Sequence, residues 1–321
     1  MLGYHGRGAV QSTEIKESGR RKGAVMTLQA IDHVMIGVSD LEGAADTYER
    51  LFGLVATGGG DHPGRGTRNR IIVLDACYLE LIAPAADAPP DHWLHRFLGG
   101  GEGLIRLALA DDDLTGTVAA LRSRGLDVNG PIPGSLRSPD GASRSWRTAF
   151  VGAGDFDDWR LPFLIQHDAM GAQRRQRLAH PYVPAAHPLG ARDVVEAVTA
   201  VHDLEVGSAA YSAILGLPRG DVIGDDVLYG PLERMRLPHA DLVLAAPLAG
   251  DSGPISRSLA ARGEGLYNIT LSVDDLPGAV ANLRGRGVGV RVHEPEGVLV
   301  SARLNPDQIH GARIKLVAHS G

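Results

Sequence analysis

Two side chains 47 positions apart, His33 and Glu80, place an imidazole and a carboxylate inside the apolar, strand-like runs IDHVMIGV and YLELIAP. Those donor types suit a divalent cation of the Zn, Mn, Fe, Mg or Ni kind. They equally suit proton transfer, or a pair that simply hydrogen-bonds to itself in a half-buried sheet. Between them lies the loop HPGRGTRN, residues 62–69. His62, whose ordinary pKa lies near neutrality, is a candidate general base or additional ligand. Arg65, Arg68 and Arg70 carry planar cationic forks suited to a carboxylate, phosphate or enolate. For Arg65 and Arg70 a solvated turn is the simpler reading. Thr67 and Asn69 offer polar groups at the entrance of the following strand.

These groups act only if folded elements bring them together, and the chain writes one such element four times. IDHVMIGVSDLEGAADTYERLFGL, LIRLALADDDLTGTVAALRSRGL, VEAVTAVHDLEVGSAAYSAILGL and YNITLSVDDLPGAVANLRGRGV each read as an alternating strand, an Asp-Leu pair, an amphipathic helix and a glycine exit. Asp40, Asp113, Asp203 and Asp275 stand where an N-cap accepts bonds from free backbone N–H groups. Gly53, Gly125, Gly216 and Gly287 close the helices. The spacing from Asp to Gly is 13 residues in the first and third segments and 12 in the second and fourth. First to third is 163 residues and second to fourth 162, so a pair of modules has been duplicated. After each helix come about three β-rich runs, the spacing of a curled sheet.

The chain has 321 residues, enough for two globular units. The modules divide it into a disordered tail at 1–27, a first domain at 28–170, a linker at 171–190 and a second domain at 191–321. The linker is marked by Arg174, Arg175 and Arg177 and by prolines 181, 184 and 188. A hydrophobic content of 44% argues against disorder, and a formal charge of −6 argues against generic binding to nucleic acid or anionic membranes. One cysteine, Cys77, excludes an internal disulfide and a Cys-rich metal framework. No signal peptide or membrane-length run is visible, which leads us to expect a cytoplasmic protein.

The strand–helix–three-strand module in four copies resembles the vicinal oxygen chelate superfamily, which includes glyoxalases, extradiol dioxygenases, epimerases and drug-resistance proteins. The first half is similar to the glyoxalase-like branch, through IDHVMIGVSDLEGAADTYERLFGL, HPGRGTRN, YLELIAP and LPFLIQHD in that order. The resemblance spans nearly everything from Leu28. It implies an α+β fold of tandem βαβββ modules, as in glyoxalase and dihydroxybiphenyl dioxygenase, with two curled mixed sheets forming open barrels and helices outside. It also implies a divalent metal in a concave cavity, with His33 and Glu80 at ligand positions. The other positions depart from the pattern. Aligned on the capping Asp, His33 corresponds to Arg106, Glu196 and Asn268. Glu80 corresponds to Val243 and Lys315, and in module two to Gln166, or to His167 one residue on. A guanidinium or ammonium beside a cation repels it. Glu196 and Lys315 read better as a cross-barrel ion pair.

The resemblance thus points to a glyoxalase-like metalloenzyme of the lyase or isomerase type. Its substrate would be a small oxygen-rich metabolite, its chemistry metal-stabilised enolate formation or proton transfer, with no nucleotide cofactor. Glu80 and His62 would move the proton. Arg68, Asn69, Arg106, Trp146 and Gln166 would bind substrate. The alternatives are a non-catalytic drug- or metabolite-binding protein and, more remotely, an extradiol-type dioxygenase, whose iron ligands would fall in the second half. Partners are small molecules, not nucleic acid or membrane, in a monomer or homodimer. Tyr78 and Phe163 read as core or barrel lining, and the linker histidines His180 and His187 as surface groups or covers of the cavity mouth. His202, His239, His293 and His310 read as incidental.

Overall fold

The computed structural model describes residues 28–137, 143–152, 161–168, 187–225, 230–248, 250 and 252–320. The expected tail at 1–27 and most of the expected linker, His180 included, lie outside them. The chain runs β1 (Leu28–Gly37), α1 (Leu41–Phe52), β2 (Thr57–His62), β3 (Thr67–Val73), β4 (Tyr78–Pro84) and α2 (Trp93–Gly99). Then come β5 (Gly103–Asp111), α3 (Leu114–Ser123), β6 (Val128–Arg137), β7 (Ser143–Val151) and β8 (Phe163–His167). The second series is β9 (Ala191–Ala200), α4 (Leu204–Leu215), β10 (Val222–Asp225), β11 (Gly230–Arg236), β12 (Asp241–Ala245) and α5 (Pro254–Arg262). It ends with β13 (Gly265–Val273), α6 (Leu276–Gly285), β14 (Val290–His293), β15 (Ser301–Leu304) and β16 (Ile314–Ala318).

The four Asp-Leu pairs start α1, α3, α4 and α6. Each Asp side chain accepts the backbone N–H three residues on, at 3.2 Å in Asp40 and 3.0 Å in Asp113, Asp203 and Asp275. Gly53 and Gly216 close the 12-residue helices in the left-handed region, at φ 64° and 66°. This satisfies carbonyls that would otherwise be stranded at the helix end.

Strand order in the first sheet is β1-β4-β3-β2-β6-β7-β8-β5. Because β5 also pairs antiparallel with β1, and β2 meets β6 at Asp61–Arg137, the sheet closes into a barrel. The second sheet, β10-β11-β12-β9-β13-β16-β15-β14, stays open. Modules one and two therefore share one sheet and modules three and four the other, in the mixed α+β architecture expected. Val34, Ile36, Leu79 and Leu81 pack outward under the helices. Met35, Ile82, Phe163 and Ile165 pack inward with Trp93 and Phe97 of α2. Period-2 alternation makes that division, since successive strand residues face opposite sides. The two sheets meet along β5 and β13 and share one apolar cluster. Arg286 Nη1 donates to the Arg50 carbonyl at 3.0 Å across that boundary. No helix of the described residues is long and apolar enough to cross a membrane.

Candidate functional site

The inward faces of the first barrel enclose a cavity of about 420 Å³. Parity on each strand decides which side chains reach it. On β1 these are His33 and Met35, on β4 Tyr78, Glu80 and Ile82, and on β3 Thr67, Asn69 and Ile71. From β7 come Arg144, Trp146 and Thr148, and from β8 Phe163, Ile165 and His167. The turn after β2 brings His62 and Arg65, and His92 Nε2 pins that turn by a 2.9 Å bond to the Arg65 carbonyl.

The polar groups form a continuous line across an apolar floor. Asp32, fully buried, receives His33 Nδ1 at 2.7 Å and His167 Nε2 at 3.2 Å on the same oxygen. His33 Nε2 faces Glu80 Oε2 at 3.5 Å, and its ring stacks on Tyr78 with centroids 4.6 Å apart. Glu80 Oε1 accepts from Asn69 Nδ2 at 2.6 Å and lies 3.8 Å from His62 Nε2. The same amide nitrogen stands 3.3 Å from His62 Nε2, while His62 Nδ1 meets Thr67 Oγ1 at 2.8 Å. Asn69 cannot turn over without loss, because its Oδ1 accepts the Gly60 N–H at 3.1 Å. Gly59 permits this approach. It sits at φ 102°, and a Cβ there would lie 2.2 Å from the Asn69 carbonyl oxygen.

Burial is the main force on His62. It lowers the imidazole pKa, helped by Arg65 and His33 and opposed by Glu80 and Asp61. A neutral imidazole therefore faces the cavity near pH 7, and the Asn69 amide N–H directed at Nε2 places the ring hydrogen on Nδ1, against the Thr67 hydroxyl oxygen. Burial likewise pulls down the pKa of the Arg65 guanidinium, against Glu80.

The donor set falls short of a metal centre. His33 Nε2 and Glu80 Oε2 converge, but Asn69 presents N–H groups, not lone pairs, to Glu80 Oε1 and His62 Nε2. Among the described residues no three His, Cys, Asp or Glu side chains are grouped to hold one ion, whereas Zn or Fe sites take at least three protein ligands. Purified protein should accordingly carry far less than one equivalent of divalent metal by elemental analysis. A full equivalent that disappears in His33→Ala would show that Asn69 swings aside to complete a site.

Of the residues singled out in the sequence, His33, His62, Asn69, Glu80 and Trp146 come together around the cavity; Arg68, Arg106 and Gln166 do not line it. Arg68 alternates with Asn69 on β3, so it faces out and pairs with Glu42 of α1 at 3.3 Å. Gln166 alternates with His167 on β8, and its amide bonds the Asp112 carbonyl at 2.6 Å and the Leu114 N–H at 3.3 Å at the start of α3. Arg106 is buried, its guanidinium 5.6 Å from the Phe150 and Phe163 ring centroids. His187 is also buried and structural, meeting the Val73 carbonyl at 2.7 Å. Arg65, for which a solvated turn is the simpler reading of the sequence, lines the cavity instead; sequence reasoning passed over Asp32 and Arg144, and alternation with Trp146 was the signal available for Arg144. In the second sheet Glu196, opposite Thr270 and near Lys315, is an ion pair partner as expected: Lys315 Nζ reaches it at 2.7 Å.

A family profile described as "Glyoxalase-like domain" matches residues 31–215. Among solved structures, a triple mutant of 4-hydroxymandelate synthase from Streptomyces coelicolor superposes with a TM-score of 0.65 at 16% identity, covering 92% of this chain and 95% of that one. A hypothetical protein from Staphylococcus aureus gives 0.61 at 12% identity, over 90% and 99%. A fusion of a xylose isomerase-like TIM barrel with 4-hydroxyphenylpyruvate dioxygenase gives 0.58 at 14% identity, over 93% of this chain and 51% of that one. At such identities these likenesses establish the fold. No curated protein matches the chain.

Proposed function

The chain belongs to the glyoxalase-like domain family, and from that premise we propose that its first barrel is the active site of a lyase or isomerase. It moves a proton next to a carbonyl in a small, oxygen-rich organic anion. One observation carries the reading: the His62 imidazole, braced by Thr67 and Asn69 beside the Glu80 carboxylate, opens into a cavity with an apolar floor. Such a base has a driving force matched to neutral pH. The long 3.3 Å contact from the Asn69 amide yields to substrate, and His62 Nε2 takes the substrate proton. Glu80 Oε1, 3.8 Å away, stabilises the imidazolium that forms, which burial would otherwise disfavour. The negative charge left on the substrate oxygen turns toward Arg65 and Arg144, and Trp93, Trp146 and Phe163 hold the apolar body. Because the donor set falls short of a metal site, stabilisation of the enolate is assigned to those guanidiniums.

His33, joined through Asp32 to His167, faces the opposite side of Glu80 and supplies a second route for a proton. Return of the proton to another face or another carbon gives an epimer or isomer. Loss of a neighbouring leaving group gives the lyase outcome.

Incubation in D₂O with a panel of small 2-oxo acids, 2-hydroxy acids and aldehyde–thiol adducts, followed by proton NMR, tests the reading. Loss of the signal beside the carbonyl in at least one compound, abolished in His62→Asn, is the expected result. A compound that quenches Trp146 fluorescence at saturation yet exchanges no proton would instead make the cavity a binding site without chemistry.

A further inference from the structure

A second cavity, of about 440 Å³, lies in the other half of the molecule between α5, Tyr267 of β13 and the residue preceding β16. Its charge is one-sided. Arg257, Arg262 and Arg313 line it with Ser258 and Tyr267, and no carboxylate of the described residues does. None of the three arginines forms an ion pair among the described residues. Arg262 is held rigidly, with Nη2 donating to the carbonyls of Gly101 at 2.9 Å and Glu102 at 2.7 Å, and its guanidinium 5.0 Å from the Phe97 ring centroid. The Arg313 guanidinium lies 4.7 Å from the Tyr267 ring centroid. Arg257 gives Nη1 to the Ser252 carbonyl, which neutralises no charge.

Like charges repel, and three guanidiniums brought to one concave wall without a counter-charge leave a standing positive potential. Burial, with Arg313 adding, lowers the Arg262 pKa, and burial raises that of Tyr267 against the pull of Arg313, Arg303 and Arg257. A planar fork with several N–H donors is the group that recognises carboxylate and phosphate oxygens. Surface arginines usually gain a partner or spread apart; here the fold holds them together.

We propose that this cavity binds the anionic group of a small ligand, a phosphate or a carboxylate. Arg257 and Arg313 clasp it, Arg262 supplies a fixed third charge, and the Ser258 and Tyr267 hydroxyls stand along the same wall. The site is separate from the first barrel and makes the second half a ligand-binding unit in its own right.

The test is calorimetric titration of the full chain with inorganic phosphate and, separately, with malonate, at constant ionic strength held by sodium chloride. Saturable binding of either is expected, and which of the two binds more tightly distinguishes a phosphoryl from a carboxyl ligand. Removing one charge-assisted contact weakens such binding about tenfold or more, so Arg257→Gln and Arg313→Gln should each do so. Arg257 is exposed, so its variant retains the fold even if the other does not. An Arg65→Gln variant, altered in the first barrel, should bind as wild type does. Equal affinity in wild type and Arg257→Gln, loss of binding in Arg65→Gln, or no saturable binding of either anion would each overturn the proposal.

Discussion

In a chain carrying His62→Asn, the proton-exchange rate should fall about 10²- to 10⁴-fold, the range that a positioned general base supplies, while thermal stability changes little. Asparagine retains a polar group near Thr67 and Asn69 but has no lone pair basic enough to take a carbon-bound proton. Arg68→Gln is the matched control: Arg68 leaves the barrel wall outward to Glu42, so its loss should not alter the rate. The pH profile adds a signed test. The base works when unprotonated, and burial together with Arg65 and His33 holds the His62 pKa below its ordinary 6.5, against Glu80 and Asp61. The wild-type rate should therefore stay level as pH falls through 6.5 and decline only below it. Arg65→Gln removes one of the cations that disfavour the imidazolium, so its acid limb should move to higher pH. A limb that stays in place, or moves the other way, would assign the titration to another group.

Most of the frame could be read from residue types, because it rests on local rules. The four capping aspartates and the glycine exits announce the helices through hydrogen bonds that span three or four residues. The inward position of His33, Glu80 and Asn69 follows from alternation within strands whose other face is packed. The same rule, applied strictly, separates Asn69 from Arg68 and His167 from Gln166, because strand neighbours cannot both face the cavity. Resemblance favoured chemically attractive neighbours over parity, and parity prevailed. Asp32 needed more than parity. Its neighbour His33 already faces inward, but the register between β1 and β5 slips between Ile31 and His33, and Asp32 reaches both His33 and His167. An irregularity of that kind arises from pairing with a distant strand, which leaves no mark in the sequence around it. The partnership of modules one and two is a long-range choice in the same sense.

Glu196→Leu should cost about 3 kcal/mol of stability in urea unfolding, the penalty for stranding a largely buried positive charge. Glu196 occupies in β9 the position that His33 occupies in β1, and it is taken up entirely by structure. Lys315 Nζ lies 2.7 Å from Oε1, Thr270 Oγ1 donates to the same oxygen at 2.8 Å, and Arg234 Nη2 stands 3.4 Å from Oε2. Burial alone would raise the Glu196 pKa, but Lys315, Thr270 and Arg234 overcome it and hold it below 4.5. Its contribution is therefore complete above the ordinary carboxylate range and is lost as pH falls through the lowered value. The gap between wild type and Glu196→Gln should narrow in the same interval. The pair Glu196→Leu with Lys315→Met removes both charges and should recover to within about 1 kcal/mol of wild type, since an apolar replacement of a buried ion pair is close to neutral. Single variants as stable as wild type would mean that water screens the pair and that it holds nothing. If the double variant recovers, the second sheet has exchanged the polar position of an active site for a strut across its concave face. The proposed chemistry then rests on the barrel in which that position is still a histidine.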